Sequence, residues 1–189
     1  MALEVFEWPA NRPRLQSNLL VVSTSVPPHI DRKHARSLIR HAVTDALAQT
    51  LGMAASRIEI HREPGMTPRL HLPGFGNAGL SITHERGLSL AVVHLEGAVG
   101  VDVTRVEEMP DWQVVAHDYL GAEVARSLSV TPASQRAGQF ARHWCEREAT
   151  LKCHGLSLRE WTPDDTSECT LFALKLQASM MGALAIFKR

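Results

Sequence analysis

The sequence has no excess of charge of either sign. Lys plus Arg number 20, and Asp plus Glu also number 20. The whole molecule therefore has no field that would attract nucleic acid, and any anion-binding site must be a local cluster of basic residues.

The sequence also lacks CxxC pairs and long apolar runs. Its three cysteines, Cys145, Cys153 and Cys169, cannot all pair within one chain, which favours a reduced, cytoplasmic setting. The longest apolar stretches fall far short of the roughly 20 residues of a membrane span. The N-terminus has no basic start followed by an apolar run, so we expect a soluble, unexported protein.

What the chain does contain is ordinary globular composition, with 44% hydrophobic and 21% charged residues. NLLVVSTSV predicts a buried strand that Pro27 and Pro28 end. Apolar residues at helical spacing predict a helix over 31–51, with Asp31 as N-cap and Gly52 as its end. This helix carries a stripe of basic residues at i, i+4 and i+8, namely Arg32, Arg36 and Arg40.

The middle of the chain is predicted to be rich in strands. RIEIHR alternates as a strand, and GMTPRLHLPGFGNAG is a Gly/Pro-rich connection with little regular structure. GLSITHERGLSLAVVHL predicts a hairpin that turns at residues 84–87, and AVGVDVTRV predicts one more strand. These segments surround the single helix of this part of the chain.

The last third of the chain is predicted to be helical and then to end in two strands. A helical pattern over 111–128 is broken by Gly121, and a long helix runs from Pro132 to about His154, where Gly155 stops it. CTLFALKLQ and GALAIFKR predict two closing strands with a turn around Gly182.

The long helix presents Trp144, Glu148 and Lys152 on one face, at i, i+4 and i+8. Taken alone, the Glu/Lys pair is a common stabiliser of helices that contributes a few tenths of a kcal/mol. We interpret Trp144 and Phe140, one turn before it, mainly as core residues.

Asp102 stands in the apolar strand GAVGVDV, where a carboxylate is costly unless a cation pairs with it. Asp102 could pair with Arg105 or with a metal ion. In a third alternative, its side chain only caps a turn. Two carboxylates from separate elements, Asp102 and Glu148, with Lys152 one turn further on, suit Mg²⁺ bound to phosphate oxygens.

Five segments follow one another in a distinctive order: HARSLI, GMTPRL, SITHERGLSLAVV, GVDVT, and FARHWCEREATLK followed by GLSL. Together they resemble the 4'-phosphopantetheinyl transferases, in the longer class typified by the surfactin-synthetase activator. That family has a helix with an Arg before a Leu pair, a GKP-like loop, an SHS-like turn, a G-[VI]-D-[VIL]-E strand and W-x-x-K-E-[AS]-x-x-K. The resemblance extends over most of the chain.

The resemblance implies transfer of the 4'-phosphopantetheine arm of coenzyme A to a serine of an apo acyl or peptidyl carrier protein, with release of 3',5'-ADP. It assigns Asp102 and Glu148 to Mg²⁺, and Lys152 to the phosphate under attack. These three residues are the expected catalytic group, and Glu148 is also the candidate for accepting the serine proton.

The resemblance further implies that His84 contacts a coenzyme A phosphate and that Arg36 binds the 3'-phosphate. The remaining coenzyme A contacts are expected from Arg32 and Arg40, and from the backbone or hydroxyl groups of Ser81 and Thr83. Without the resemblance, a His in a hairpin turn is usually solvated, and a basic stripe is usually a wet face of a helix.

An α+β fold of two similar α/β halves, related by a pseudo-twofold axis, is also implied by the resemblance. Residues 1–106 would supply the coenzyme A-binding strands, the first helix and the Asp102 strand, and residues 107–189 would supply the Glu148/Lys152 helix and closing strands. Coenzyme A would lie in the cleft between them. The chain can supply both halves, so a monomer is expected, with a local basic patch for an acidic carrier protein.

Three departures from the family pattern bear on activity. Thr104 stands where most members have the second acid of a D-x-E pair, Arg147 replaces a Lys, and GMTP replaces GKP. Thr104 and the missing loop Lys leave open a second function, a catalytically idle module that binds coenzyme A or a carrier. A zinc site of Cys145, Cys153 and His154 is a further alternative, which the eight-residue spacing on one helix disfavours.

Overall fold

A computed structural model describes residues 2–61, 67–163 and 168–188 of the chain. Its first part is built of strands around one long helix, as predicted. In chain order the elements are β1 (Ala2–Glu4), β2 (Phe6–Glu7), β3 (Leu19–Ser25), α1 (Arg32–Leu51), β4 (Glu59–His61), β5 (Arg69–His71), β6 (Gly79–Glu85), β7 (Leu88–His94) and β8 (Val99–Arg105).

The last part is helical and ends in a hairpin. Gly121 separates two helical segments and Pro132 precedes the longest helix, which confirms both predictions. The elements are α2 (Trp112–Val115) continuing into a π-helical turn (Ala116–Leu120), α3 (Ala122–Val130), α4 (Ala133–Cys153), β9 (Cys169–Lys175) and β10 (Met180–Phe187).

The bounds of α1 follow from its two ends. Asp31 is extended and its side chain accepts a hydrogen bond from the His34 backbone N–H, which satisfies a donor that the first turn leaves free. Gly52 adopts φ 65°, the left-handed conformation, and its N–H donates to the Ala48 carbonyl oxygen. Both residues have the roles predicted from the sequence.

Two predictions about local structure are wrong. Part of the connection expected to be irregular forms β5, which pairs antiparallel with β4. Gly182 lies inside β10, and the turn falls before Met180. A Cβ at Gly182 would come within 2.7 Å of Leu176 Cδ1. The glycine at this position is therefore explained by close packing and not by a turn. Arg62 and the Gly65–Met66 start of the GMTPRL segment lie outside the described residues.

Beside the β4-β5 pair, the described strands form two four-stranded sheets, in which the three-strand orders β3-β7-β6 and β8-β10-β9 correspond. One sheet has the order β2-β3-β7-β6, and the other has β1-β9-β10-β8. In each sheet a strand, a long helix and a hairpin follow in sequence, and the first strand pairs antiparallel with the last strand of the hairpin. The described residues therefore form an α+β fold, in which the predicted pseudo-twofold relation stays a prediction.

The sheets face each other, and each helix covers an outer face. Leu19 and Val21 of β3 pack with Val99 and Val101 of β8 between the sheets. Leu20 and Val22 alternate to the other side and pack against α1, while Ala149 of α4 packs on the outer face of the second sheet. The layers are thus α1, first sheet, second sheet and α4.

Strands from both sides of residue 106 share the second sheet. β8, which ends at Arg105, pairs with β10, and β1 pairs in parallel with β9. The division of the chain near residue 106 stays a prediction. Phe140 is buried, which confirms its predicted core role, whereas Trp144 stacks on it at 6.0 Å and is only half-buried. Within the described ranges, none of the helices has the length and apolarity to cross a membrane.

Candidate active site

A cavity of about 310 Å³ lies where α1, β6, β8 and α4 meet. Its walls bring together residues that are far apart in sequence and were predicted to share a site. The lining residues are Arg32, Arg36, Ile39, Arg40, Pro68, Ile82, Thr83, His84, Asp102, Glu148 and Lys152.

The two acids and the lysine meet at the β8 and α4 side of this cavity. Lys152 Nζ lies 2.7 Å from Asp102 Oδ1 and 3.7 Å from Glu148 Oε2. It also donates to the Val101 carbonyl oxygen at 3.3 Å. One cation thus lies within 4 Å of two carboxylates from different elements.

Asp102 is only 7% exposed, and its carboxylate is satisfied by neighbours. Lys152 pairs with Oδ1, and Thr83 Oγ1 donates to the same oxygen at 2.9 Å. The Cys145 thiol lies near this carboxylate, which contributes to its raised pKa, and donates to the Met181 carbonyl oxygen at 3.4 Å. The cation beside Asp102 is therefore Lys152, whereas Arg105 donates to the Arg86 carbonyl oxygen at 2.8 Å.

Helix α4 can approach β8 closely because Gly100 has no side chain. A Cβ built on Gly100 would lie 2.5 Å from the Cys153 backbone nitrogen and closer still to the Ala149 carbonyl oxygen. Ala149 and Cys153 are the neighbours of Glu148 and Lys152 on the helix. Gly100 therefore sets the depth at which both functional side chains enter the cavity.

Burial raises the pKa of the Glu148 carboxyl above its ordinary value. The nearby Lys152 ammonium opposes this effect, and the Asp102 carboxylate adds to it. Glu148 thus holds a proton more tightly than an exposed glutamate would.

This raised pKa predicts a pH-dependent stability. The folded protein binds the Glu148 proton more tightly than the unfolded chain does, so the contribution to stability is full below the ordinary pKa of 4.5 and is lost as the pH rises through the raised value. In EDTA, the Tm of the wild type minus that of Glu148→Gln is expected to fall as the pH rises above 4.5. Glu146, whose pKa is lowered, remains in both proteins and cancels. A difference independent of pH would contradict this expectation.

The opposite wall of the cavity is basic. Arg32, Arg36 and Arg40 line it from successive turns of α1, and Arg40 Nε donates to the Arg36 carbonyl oxygen at 3.0 Å. His84 lies half-buried near the end of β6, with Nδ1 2.8 Å from Ser89 Oγ. Since the net charge of the chain is zero, these groups form the local cluster that an anionic ligand requires.

Ser81 and Thr83 direct their hydroxyl groups towards β8. Ser81 Oγ accepts the Val101 backbone N–H at 3.1 Å, and Ser81 is not among the residues that line the cavity. Thr83 lines the cavity while it donates to Asp102. Cys145 also lies near Asp102, and no sequence pattern indicates this, because only the packing of α4 on the sheet brings the two together.

The donor set suits a hard divalent cation. Asp102 and Glu148 offer carboxylate oxygens, and the position between them already accommodates the charge of the Lys152 ammonium. Within residues 2–61, 67–163 and 168–188, no group of three or more His, Cys, Asp or Glu side chains could hold a metal ion. The alternative zinc site of Cys145, Cys153 and His154 therefore does not form there.

The departures from the resembled pattern have definite positions. Thr104 is half-buried in a neighbouring cavity of about 250 Å³, which Glu85 and Trp144 also line. Arg147 is half-buried on α4. Of the GMTPRL segment, Pro68 lines the main cavity.

Comparison with known proteins identifies the segment that contains both acids and the lysine. A search of the curated proteins gives no significant match. Residues 98–179 match the family model described as the 4'-phosphopantetheinyl transferase superfamily, and the match spans Asp102, Glu148 and Lys152. Over this segment, which runs from β8 to the turn before β10, the chain is similar to the 4'-phosphopantetheinyl transferase superfamily.

Proposed function

We propose that this protein transfers the 4'-phosphopantetheine arm of coenzyme A to a serine of an apo acyl or peptidyl carrier protein, as a holo-carrier-protein synthase of the longer class. The match of residues 98–179 to the superfamily model supports phosphopantetheinyl transfer in general. The observation that best supports the finer proposal is the meeting of Asp102, Glu148 and Lys152 in one cavity with the three arginines of α1.

Coenzyme A would extend across the cavity between its basic and acidic walls. Arg36 would bind the 3'-phosphate with its forked guanidinium, and Arg32 and Arg40 would add positive charge beside it. His84 would contact a phosphate from β6. The pyrophosphate would then lie at Lys152, opposite the arginines.

Mg²⁺ fits the two carboxylates, and Asp102 and Glu148 would hold it. When bound, the ion neutralises charge on the pyrophosphate oxygens. Lys152 would exchange its contact with Asp102 Oδ1 for an oxygen of the phosphate under attack. The Lys152 side chain already lines the cavity that this phosphate would enter.

The chemical step forms one bond and breaks one. The serine oxygen of the carrier attacks the phosphorus that bears the pantetheine arm, and the bond from that phosphorus to the oxygen of 3',5'-ADP breaks. Glu148 would accept the serine proton, because its carboxylate lies where the ion and the nucleophile should meet. Lys152 would balance the charge that develops on the phosphate oxygens.

A loading assay tests this function. The protein is incubated with Mg²⁺, a fluorescent coenzyme A analogue and a panel of apo-carrier proteins, and products are followed by gel and mass spectrometry. The expected result is a gain on the carrier equal to one phosphopantetheine moiety, abolished by EDTA. Failure to load any carrier of the panel would contradict transferase activity.

Thr104 favours a second candidate function, a module that binds coenzyme A or a carrier without turnover. A threonine offers no charge to a metal, so one possible acid is missing beside Asp102. Calorimetry separates the two functions: coenzyme A binding together with no loading would identify the idle module. Our proposal of the active enzyme includes a monomer in the cytoplasm. The cytoplasmic setting is supported by Cys145, Cys153 and Cys169, which form no disulfide.

The role of Arg36 can be tested by changing either the protein or the ligand. Arg36→Ala is expected to raise the Kd of coenzyme A by about 10-fold or more, since it removes a charge-assisted bidentate contact. Dephospho-coenzyme A, which lacks the 3'-phosphate, should bind the wild type with a similar loss. Combining the two changes should add little further loss, because both remove the same contact.

Lys33 supplies the control, because it lies on α1 between these arginines in sequence but does not line the cavity. Lys33→Ala should keep the wild-type preference for the 3'-phosphate, measured by calorimetry. Full additivity of Arg36→Ala and dephospho-coenzyme A would place the 3'-phosphate elsewhere.

A further inference from the structure

Two hydroxyl groups of β6 connect the edges of the two sheets. Ser81 and Thr83 are two residues apart, so their side chains lie on the same side of the strand. Ser81 Oγ accepts the Val101 N–H, and Thr83 Oγ1 donates to Asp102 Oδ1 at 2.9 Å. Thr83 is 5% exposed, so its contact with the carboxylate is shielded from water.

A buried carboxylate needs donors, and those around Asp102 are not equivalent. Lys152 is the strongest, at 2.7 Å, but the proposed reaction needs its ammonium at the phosphate. The Cys145 thiol is a weak donor, and it donates to the Met181 carbonyl oxygen at 3.4 Å. Thr83 is then the neutral, strong donor that can stay on Asp102 while Lys152 moves away.

We propose that Thr83 is a positioning residue for Asp102, and that it holds Oδ1 so that the carboxylate keeps its direction when Mg²⁺ and coenzyme A bind. The proposal rests on the proposed function. It follows the general behaviour of metal sites, in which a group that hydrogen-bonds to a ligand fixes the orientation of that ligand. Thr83 and Lys152 both donate to Asp102 Oδ1, so Thr83 can keep this oxygen in place when Lys152 leaves it.

This role differs from the coenzyme A contact that the sequence resemblance implies for Thr83. A threonine hydroxyl has one hydrogen to donate, and that hydrogen points to Asp102. A phosphate oxygen accepts and does not donate, so it cannot share the group without taking this hydrogen away. Thr83 should therefore affect metal binding and leave metal-free coenzyme A binding unchanged.

The test compares two substitutions at the same position. Thr83→Val keeps the shape and removes the hydroxyl, whereas Thr83→Ser keeps the hydroxyl. For Thr83→Val the Mg²⁺ concentration at half-maximal loading should rise about 10-fold or more, with kcat at saturating Mg²⁺ within about twofold of the wild type. Thr83→Ser should stay close to the wild type. In EDTA, calorimetry should give the wild-type Kd for coenzyme A with both variants.

Ser81→Ala is the matched control, because it also removes a hydroxyl between β6 and β8 but one that faces a backbone N–H. It should lower the Tm and leave the Mg²⁺ dependence at the wild-type value. An unchanged Mg²⁺ dependence for Thr83→Val, or a weaker coenzyme A Kd in EDTA, would overturn the positioning role. So would a Thr83→Ser variant as impaired as Thr83→Val.

Titration of Mg²⁺ into the complex with coenzyme A separates this proposal from the proposed function. If the wild type binds Mg²⁺ in that titration and Thr83→Val binds it equally well, the positioning role fails and the metal-dependent function stands. If the wild type itself does not bind Mg²⁺, both the metal-dependent function and the positioning role of Thr83 are contradicted.

Discussion

Replacing Glu148 by Gln is expected to lower kcat/KM for carrier loading by about 10³-fold. Gln keeps the size of the side chain but cannot accept the serine proton, and its neutral amide is a poor ligand for a hard divalent ion. The second carboxylate, Asp102, remains beside Lys152 in this variant. The measurement is the initial rate of phosphopantetheine transfer at saturating Mg²⁺ and coenzyme A.

Glu146 supplies a matched control on the same helix. Its carboxylate pairs with Arg142 at 2.8 Å, and it does not line the cavity. Glu146→Gln should therefore load carriers at a rate within about twofold of the wild type, because an i, i+4 pair contributes only a few tenths of a kcal/mol. A loss from Glu146→Gln as large as that from Glu148→Gln, or no loss from the latter, would contradict the role given to Glu148.

The sequence predicted the helices well because their limits depend on neighbouring residues. Asp31 and Gly52 act on the first and last turns of α1 through contacts within four residues. The turn predicted around Gly182 was wrong because glycine occurs both in turns and at positions where close packing leaves no room for a side chain. Here Leu176 and Leu174 fill the space beside it, and that depends on the whole sheet.

The candidate site was predictable to the extent that charge is costly in an apolar strand. Asp102 stood out for that reason, and its cation is Lys152, 50 residues further along the chain. The donor from Thr83 was not predictable in the same way. This hydrogen bond depends on how the edges of the two sheets meet. No local sequence pattern predicts which strand of the first sheet lies beside β8.

The last large effect is expected at a residue with no functional group. Gly100→Ala should lower the free energy of unfolding by about 3 kcal/mol, because the added Cβ would collide with backbone atoms of Ala149 and Cys153, which cannot rotate away. Relief requires α4 to move off β8, and that shift displaces Glu148 and Lys152 together. A displacement of about 1 Å can lower a rate about 10²-fold, so folded Gly100→Ala should also load carriers poorly.

Gly138→Ala separates this effect from the general effect of replacing a glycine. Gly138 lies in the same helix, α4, and a Cβ built there meets nothing within 4 Å. Since alanine favours the helix, Gly138→Ala should raise stability by about 0.5–1 kcal/mol and leave the loading rate unchanged. Urea unfolding with the loading assay measures both quantities. Equal stability of the two variants would show that α4 does not depend on the absence of a side chain at Gly100 for its position on β8.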